Sequence, residues 1–375
     1  MPNDNVQIDI RKLSLEQLKD QLVDFGEKAF RAKQIYEWLW QKSTVDFEEM
    51  TNLSKPLRTK LEAHFVINGI KEDTVQFSND GTIKTRFRLH DDALIESVLI
   101  PVPLDKRFTV CVSTQVGCSL TCKFCATGKM KRVRNLDASE IYDQFFLVNK
   151  QALEHFGHPL TNIVYMGMGE PLYNFDHVRD ALKLVMDGHG LALSKRRITL
   201  STSGVVPMMA RCGEEIGVNL AVSLHAVSKD VRDEIVPINR KYGLEELLQA
   251  CADYPGASNA RRITFEYVML KDKNDSDEDA HELVRLLQQY DLPAKVNLIP
   301  FNPWEGANYV CSTPERVKAF SNIVFEGGIS APVRTPRGRD IDAACGQLKT
   351  SAEKKSRAQR DREAAEQSTA DATIS

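Results

Sequence analysis

The chain has 375 residues, 42% hydrophobic and 27% charged, and its 49 basic and 52 acidic side chains leave a net charge of −3. This balance excludes a protein that holds nucleic acid by bulk charge, while leaving a local basic face open. No stretch reaches the roughly 18 apolar residues of a membrane span, and the N-terminal residues lack the apolar core of a secretory signal, so the expected compartment is the cytoplasm, with no membrane partner.

Residues 13–65 carry helical periodicity. Ser14 and Gln17 have capping-box spacing, and Leu15, Leu18 and Leu22 follow at helical intervals. Two further helical runs follow at 30–42 and 53–65, with Pro56 near the start of the second, where a missing N–H is tolerated. These runs predict a small helical accessory domain over 1–68. Its Arg31, Lys33 and Lys42 suit either a solvated packing module or an RNA contact. Alternation on both sides of Asn79-Asp80-Gly81 predicts a hairpin, and a second apolar segment at 93–101 completes a short β extension over 69–106. From 107 to 348 apolar strand patterns alternate with helical ones six or seven times, which argues for a parallel sheet covered by helices and curved toward a barrel or partial barrel. Residues 349–375 contain six Lys or Arg and five Asp or Glu and no aromatic side chain. That composition predicts a disordered tail or a frayed helix.

Polar residues gather at the ends of the predicted strands. Gly169-Glu170, Ser201-Thr202-Ser203, Ser223-Leu224-His225, Asn297 and Asn302 all fall there. In barrels of alternating strands and helices the C-terminal strand ends form the active-site rim.

Eight cysteines occur in the chain. Clustering in an unsecreted protein points to metal binding or catalysis rather than a disulfide framework. Cys118, Cys122 and Cys125 form C-x3-C-x2-C just after the first strand of the main domain. Three thiolates on one loop can hold three irons of a [4Fe–4S] cube and leave the fourth iron open. Zinc is the alternative, with Cys111 or Cys345 as a fourth ligand. Cys212, Cys251 and Cys311 match no motif and read as small apolar side chains or surface thiols.

The cysteine loop, with Phe124 inside it, resembles the radical S-adenosylmethionine enzymes. CVSTQVGC at 111–118, MGMGEPLYN at 166–174, LSKRRITLSTSGVVP at 193–207, SLHA at 223–226, NLIPFNP at 297–303 and GRDIDAACGQL at 338–348 narrow the resemblance to the RlmN/Cfr family. The resemblance implies an α/β fold with a partial (β/α)6 barrel. It implies one [4Fe–4S] cluster on Cys118, Cys122 and Cys125, and two S-adenosylmethionine molecules per turnover. Gly169, Glu170, Ser201, Ser223, Leu224, His225 and Asn302 match its cofactor-contacting positions.

The implied reaction is methylation of adenine C2 in 23S rRNA and in tRNA, or of C8 in the Cfr-like alternative. Pro171 and Arg337-Gly338 look more like the C2 branch. Cys345 would carry the methyl group, Glu96 would remove the C2 proton, and Cys111 would release the product by forming a disulfide. The resemblance also implies an external electron donor such as flavodoxin, and a monomer. A non-enzymatic zinc-bearing RNA-binding module is the competing class. Three basic runs would serve RNA phosphates: Lys129, Lys131, Arg132 and Arg134; Lys195, Arg196 and Arg197; and Arg334, Arg337 and Arg339.

Overall fold

Nine strands form one sheet whose order follows the chain. They are β1 (Lys71–Phe77), β2 (Ile83–Arg88), β3 (Leu94–Val102), β4 (Arg107–Cys111), β5 (Asn162–Tyr165), β6 (Ile198–Thr202), β7 (Asn219–Ser223), β8 (Ile263–Met269) and β9 (Ala294–Pro300). β1 to β4 pair antiparallel, and β4 to β9 pair parallel throughout. Six parallel strands in sequential order, joined by helical crossovers, curve into a partial barrel. The computed structural model describes residues 7–187 and 192–350. The expected tail lies outside the described residues from 351 onward.

The helices follow the sequence periodicity. α1 (Leu15–Asp24) opens on the expected capping box of Ser14 and Gln17. α2 (Arg31–Trp40) follows, and α3 (Lys55–His64) is capped by Ser54 with Pro56 in its first turn. α4 (Ala138–Phe156) is the long helix after the cysteine loop, and α5 (Phe175–Met186) packs against it. α6 (Val206–Arg211), α7 (Lys229–Ile235), α8 (Leu244–Ala252), α9 (Asp277–Gln289) and α10 (Pro314–Glu326) complete the outer layer. Every residue of β8 is buried, as a parallel strand covered on both faces requires.

α4 docks the N-terminal helices. Arg11 donates from Nη1 to both carboxylate oxygens of Asp143, at 2.8 and 2.9 Å. The Tyr142 hydroxyl donates to the Trp40 carbonyl, and the two rings meet edge to face at 5.2 Å.

The open side of the barrel is crossed by a C-terminal strap. Single bridges tie Ser330 and Val333 to Lys295 and Leu298 of β9. The chain then reaches the turn between β1 and β2, the predicted hairpin. There Asp340 accepts from Ser78 Oγ at 2.6 Å and from the Asn79 N–H at 3.0 Å, and Asp80 accepts from the Gly338 N–H at 3.0 Å. It returns to the cysteine loop, where the Ala126 N–H donates to the Gly346 carbonyl at 2.7 Å and Thr127 Oγ1 to the Leu348 carbonyl at 2.6 Å.

Candidate active site

The loop after β4 presents three thiols to one cleft. Cys118, Cys122 and Cys125 all line it, in a space of about 960 Å³ that is partly open to solvent. Gly128 permits the tight return: a Cβ there would lie 2.4 Å from the Cys122 carbonyl oxygen. The loop is fixed from several sides. The Lys123 N–H donates to the Ile235 carbonyl at 3.0 Å, and Trp304 Nε1 donates to the Phe124 carbonyl at 2.9 Å. The Phe124 ring stands edge-on to His225, 4.5 Å between centroids.

Burial pushes the Cys118 thiol up to about 12 and raises Cys122 and Cys125 as well. Such thiols stay neutral until a metal takes up the thiolate charge. Among the described residues no three Cys, His, Asp or Glu side chains converge on the position of a single metal ion. Zinc needs that convergence. A cube needs less, because each thiolate binds a different iron. The three thiols of this loop therefore fit a cube better than zinc.

Except for Asn297, which lies in the middle of β9 and donates to Glu266 Oε1 at 3.0 Å, the polar strand ends surround the same cleft. Gly169, Glu170, Ser201, Ser223, His225 and Asn302 line it, and Cys345 stands at its edge on the strap. Gly169 has φ of +103°, and a Cβ there would meet the Gln115 side chain at 2.7 Å. The Glu170 carboxylate accepts from the Leu172 N–H at 3.1 Å and the Ser203 N–H at 2.8 Å, while burial raises its pKa to about 7. His225 sits at φ of +60° and accepts on Nδ1 from the Val268 N–H at 3.1 Å. Burial, assisted by Arg232, holds its pKa down to about 3, so the ring is neutral. Asn302 donates to the Cys345 carbonyl at 3.2 Å and accepts from Arg339 Nε at 2.9 Å. Leu224 is the exception among the expected cofactor positions: its side chain is buried outside the cleft lining, and its carbonyl accepts from Arg232 Nε at 3.1 Å.

The two remote cysteines share a second recess. Cys111 and Cys345 both line it, and Met166, Ile299, Asn302, Arg334, Cys345 and Gly346 belong to both recess and cleft. All eight cysteines are free. Glu96 is in neither lining. It is buried on β3, 3.8 Å from Lys84 Nζ, and accepts from the Lys349 N–H at 3.0 Å. Burial raises its pKa, and Lys84 opposes the shift. Lys84 Nζ also donates to the Asp342 carbonyl at 3.4 Å, so the Lys84–Glu96 pair grips the Cys345 segment on both sides.

Three site residues escape the sequence reading. Glu266 and Tyr165 line the cleft with buried oxygens, Oε2 and Oη, that have no hydrogen-bond partner among the described residues. An unpaired buried polar group costs about 1–3 kcal/mol, so this cleft suits a ligand that brings hydroxyl or amino groups. The signal for Glu266 was available: an acid inside the apolar run ITFEYVM is expensive unless it has a use. Arg334, read as a phosphate contact, instead lines both the cleft and the recess.

The basic runs divide. Lys129, Lys131 and Arg132 are exposed beside the cysteine loop, whereas Arg134 is committed to Glu140 and Asp91. Arg337 lies 3.9 Å from Asp80. The Lys195–Arg197 turn corrects the expectation of a basic run beside the site. It precedes β6, and in a parallel barrel the residues before a strand lie at the opposite end from the rim. The five residues of β6 put roughly 17 Å between that turn and the site.

Partial barrel, three-thiol loop and cleft together define a radical S-adenosylmethionine protein. The Radical SAM superfamily model matches residues 112–284, and the model of the ribosomal RNA large subunit methyltransferase N-terminal domain matches 8–67. A crystal structure of a radical SAM methyltransferase from Sphaerobacter thermophilus superposes with a TM-score of 0.84 at 44% identity, covering 91% of this chain and 99% of that one. The dual-specificity RNA methyltransferase RlmN of Erythrobacter litoralis is 62% identical, over 96% of this chain and 91% of its own length. That of Novosphingobium aromaticivorans is 61% identical, over 97% and 92%. The chain belongs to the RlmN family of dual-specificity RNA methyltransferases. Its fold is the radical SAM fold, and proteins of this class use a [4Fe–4S] cluster and S-adenosylmethionine.

Proposed function

We propose that this protein methylates C2 of an adenine in 23S rRNA and in tRNA, with Cys345 as methyl carrier. The observation that carries the reading is the shared wall between two cavities. Cys345 borders the three-thiol cleft on one side and the recess of Cys111 on the other. When bound, the cluster on Cys118, Cys122 and Cys125, with two S-adenosylmethionine molecules per turnover, supplies a methyl group to Cys345 and a radical that activates it.

The chain's own residues account for the rest. Gly169 and Glu170 hold the cofactor's amino group. Ser201, Ser223, His225 and Asn302 position its remaining polar groups, and the backbone of Leu224 shapes the turn before His225. The activated Cys345 carbon bonds to C2 and joins protein and RNA, and the unpaired electron this leaves on the ring would pass to the cluster, so that loss of the C2 proton gives a closed-shell adduct. Glu96 takes the C2 proton, with Lys84 favouring its ionised form. Cys111 then attacks the Cys345 sulfur. A direct polar transfer is disfavoured because C2 of adenine is electrophilic, which is why a carrier is needed.

The division into an accessory domain (1–68), a β extension (69–106) and a catalytic core (107–348) belongs to the same reading. The accessory domain and the exposed Lys129, Lys131 and Arg132 contact RNA. The protein acts as a cytoplasmic monomer, with flavodoxin or a similar protein as electron donor. Among the described residues no helix is long and apolar enough to cross a membrane.

The test is an asymmetry between two variants of the reconstituted enzyme. Cys345→Ala forms neither product nor adduct. Cys111→Ala accumulates RNA joined to Cys345, seen as a heavier, nuclease-sensitive species. Normal turnover by Cys111→Ala, or trapping by Cys345→Ala instead, overturns the assignment. Nucleoside mass analysis separates 2-methyladenosine from the 8-methyl product.

A further inference from the structure

Arg334 follows the bridge between Val333 and Leu298 on the edge of β9, and its own N–H donates to the Leu298 carbonyl at 2.8 Å. Its neighbours Arg337 and Arg339 turn to Asp80 and Asn302. Arg334 turns inward and is the cation shared by the linings of the cleft and the recess. The recess of Cys111 holds one other charged side chain, Arg337, which is offset by Asp80 at 3.9 Å. The flanking strands set Val98 of β3 and Val164 of β5 opposite it. From the strap it is faced by the Cys345 thiol, and from the segment after β9 by Arg334.

That environment poses a problem for a thiol that must attack. Burial pushes the Cys111 thiol up to about 12, the Cys345 thiol pushes it the same way, and Arg334 and the Met166 N–H pull it down. The pKa of Arg334 itself is raised, first by Cys345, then by Glu266 and Cys111, against the effect of burial. Only a thiolate attacks a sulfur centre at a useful rate, and a fixed neighbouring cation is the usual means of forming one in an apolar setting.

We propose that Arg334 is a positioning residue for the release step, favouring the thiolate of Cys111 over its thiol and aiming it at the Cys345 sulfur, rather than an RNA-phosphate contact. The inference rests on the roles proposed above for Cys111 and Cys345. In the step it serves, the Cys111 thiolate forms a bond to the Cys345 sulfur and the bond from that sulfur to the RNA-bound CH2 breaks. The electron pair of the broken bond goes to the carbon, which takes a proton from water and becomes the methyl group. The two cysteine sulfurs are oxidised to a disulfide and the carbon is reduced. Glu266 lines the cleft with Arg334 and favours its charged form.

The experiment compares reconstituted wild type, Arg334→Met, Arg334→Lys and Cys111→Ala in a single turnover with a 23S rRNA fragment. Arg334→Met should accumulate the Cys345–RNA adduct at pH 7. Its release should then speed up by roughly tenfold for each pH unit, because the thiolate fraction of an unassisted thiol grows at that rate below its pKa. Arg334→Lys should restore most of the release rate. The Cys111→Ala adduct should persist at every pH. RNA affinity of Arg334→Met, by filter binding, should stay within about twofold of wild type, whereas loss of a phosphate contact would weaken it and lower the salt slope.

Release from Arg334→Met at the wild-type rate, or an adduct whose persistence ignores pH, overturns the inference. If Arg334→Met forms no adduct, the pH dependence of Cys111 alkylation by iodoacetamide decides. A midpoint at least one unit above wild type supports the inference and an unchanged midpoint sinks it. If Cys111→Ala itself traps nothing, the roles of the two cysteines are wrong, and the alkylation result still judges Arg334.

Discussion

Asp143→Ala tests how the N-terminal helices are held to the core. Asp143 of α4 accepts two hydrogen bonds from Arg11, one from Ser43 Oγ at 3.3 Å and one from the Ile70 N–H at 3.2 Å. The Arg11 side chain is 1% exposed and that of Asp143 5%. Removing one partner of such a pair costs about 3–5 kcal/mol, because the other charge stays buried. Asp9, 3.8 Å from Arg11 Nε, offsets part of this and favours the lower end. The unpaired Ile70 N–H adds about 1 kcal/mol. The sum, about 4 kcal/mol, is a large share of the roughly 5–15 kcal/mol that holds most folded proteins together. At about 2 °C per kcal/mol for a chain of this size, the melting temperature should fall by about 8 °C. Thermal unfolding followed by circular dichroism measures it, and limited proteolysis near residue 68 shows whether the helices come away first. Arg11→Met combined with Asp143→Leu removes both charges, and it should recover at least half of the loss. A single-variant loss below about 1 kcal/mol, or a double variant as unstable as the sum of the singles, would refute the reasoning.

Replacing any one of Cys118, Cys122 or Cys125 by Ala should abolish iron binding as a cube and all methylation. Full iron content with retained activity in any of the three would rule the cluster site out. Reversing the charges of Lys129, Lys131 and Arg132 together should weaken RNA binding and reduce the slope of log K against log salt by up to about 3. The same reversal at Lys195, Arg196 and Arg197 should leave the slope unchanged, and equal effects from both sets would contradict the placement of the RNA face. His225, held neutral with a pKa of about 3, regains its ordinary value on unfolding. The unfolded chain therefore takes up the proton first, and stability falls as pH drops below about 6.5. Between pH 7 and 5 this group costs about 2 kcal/mol. Urea unfolding of wild type and His225→Gln at the two pH values checks it, and an equal pH dependence in both disproves it.

The pattern of strands was legible because each buried parallel strand writes itself as a short apolar run, and each helix as a three-to-four residue period. The rim was legible for a related reason. Residues such as Glu170, Ser223 and Asn302 sit just past the last apolar residue of their strands, and only the C-terminal end of a parallel barrel collects such positions from successive strands. The same logic, carried one step further, places Lys195, Arg196 and Arg197 at the far end, since they precede β6. Reading them as neighbours of Ser201 took nearness along the chain for nearness in space, and a strand is the element that separates the two most.

What periodicity could not show is the strap. Its anchors at Asp80, Glu96 and Thr127 meet partners at 338, 349 and 348, and no local pattern encodes a contact across that span. Yet on the proposed reading the strap determines the chemistry. The Gly346 and Leu348 carbonyls tie it to the cysteine loop. The Lys84–Glu96 pair ties it to β2 and β3, and β3 pairs with β4, whose last residue is Cys111. One segment thus fixes Cys345 between the group that would charge it and the thiol that would discharge it. A methyl carrier needs that arrangement, because a sulfur able to reach only one of the two would either never be loaded or never let its product go.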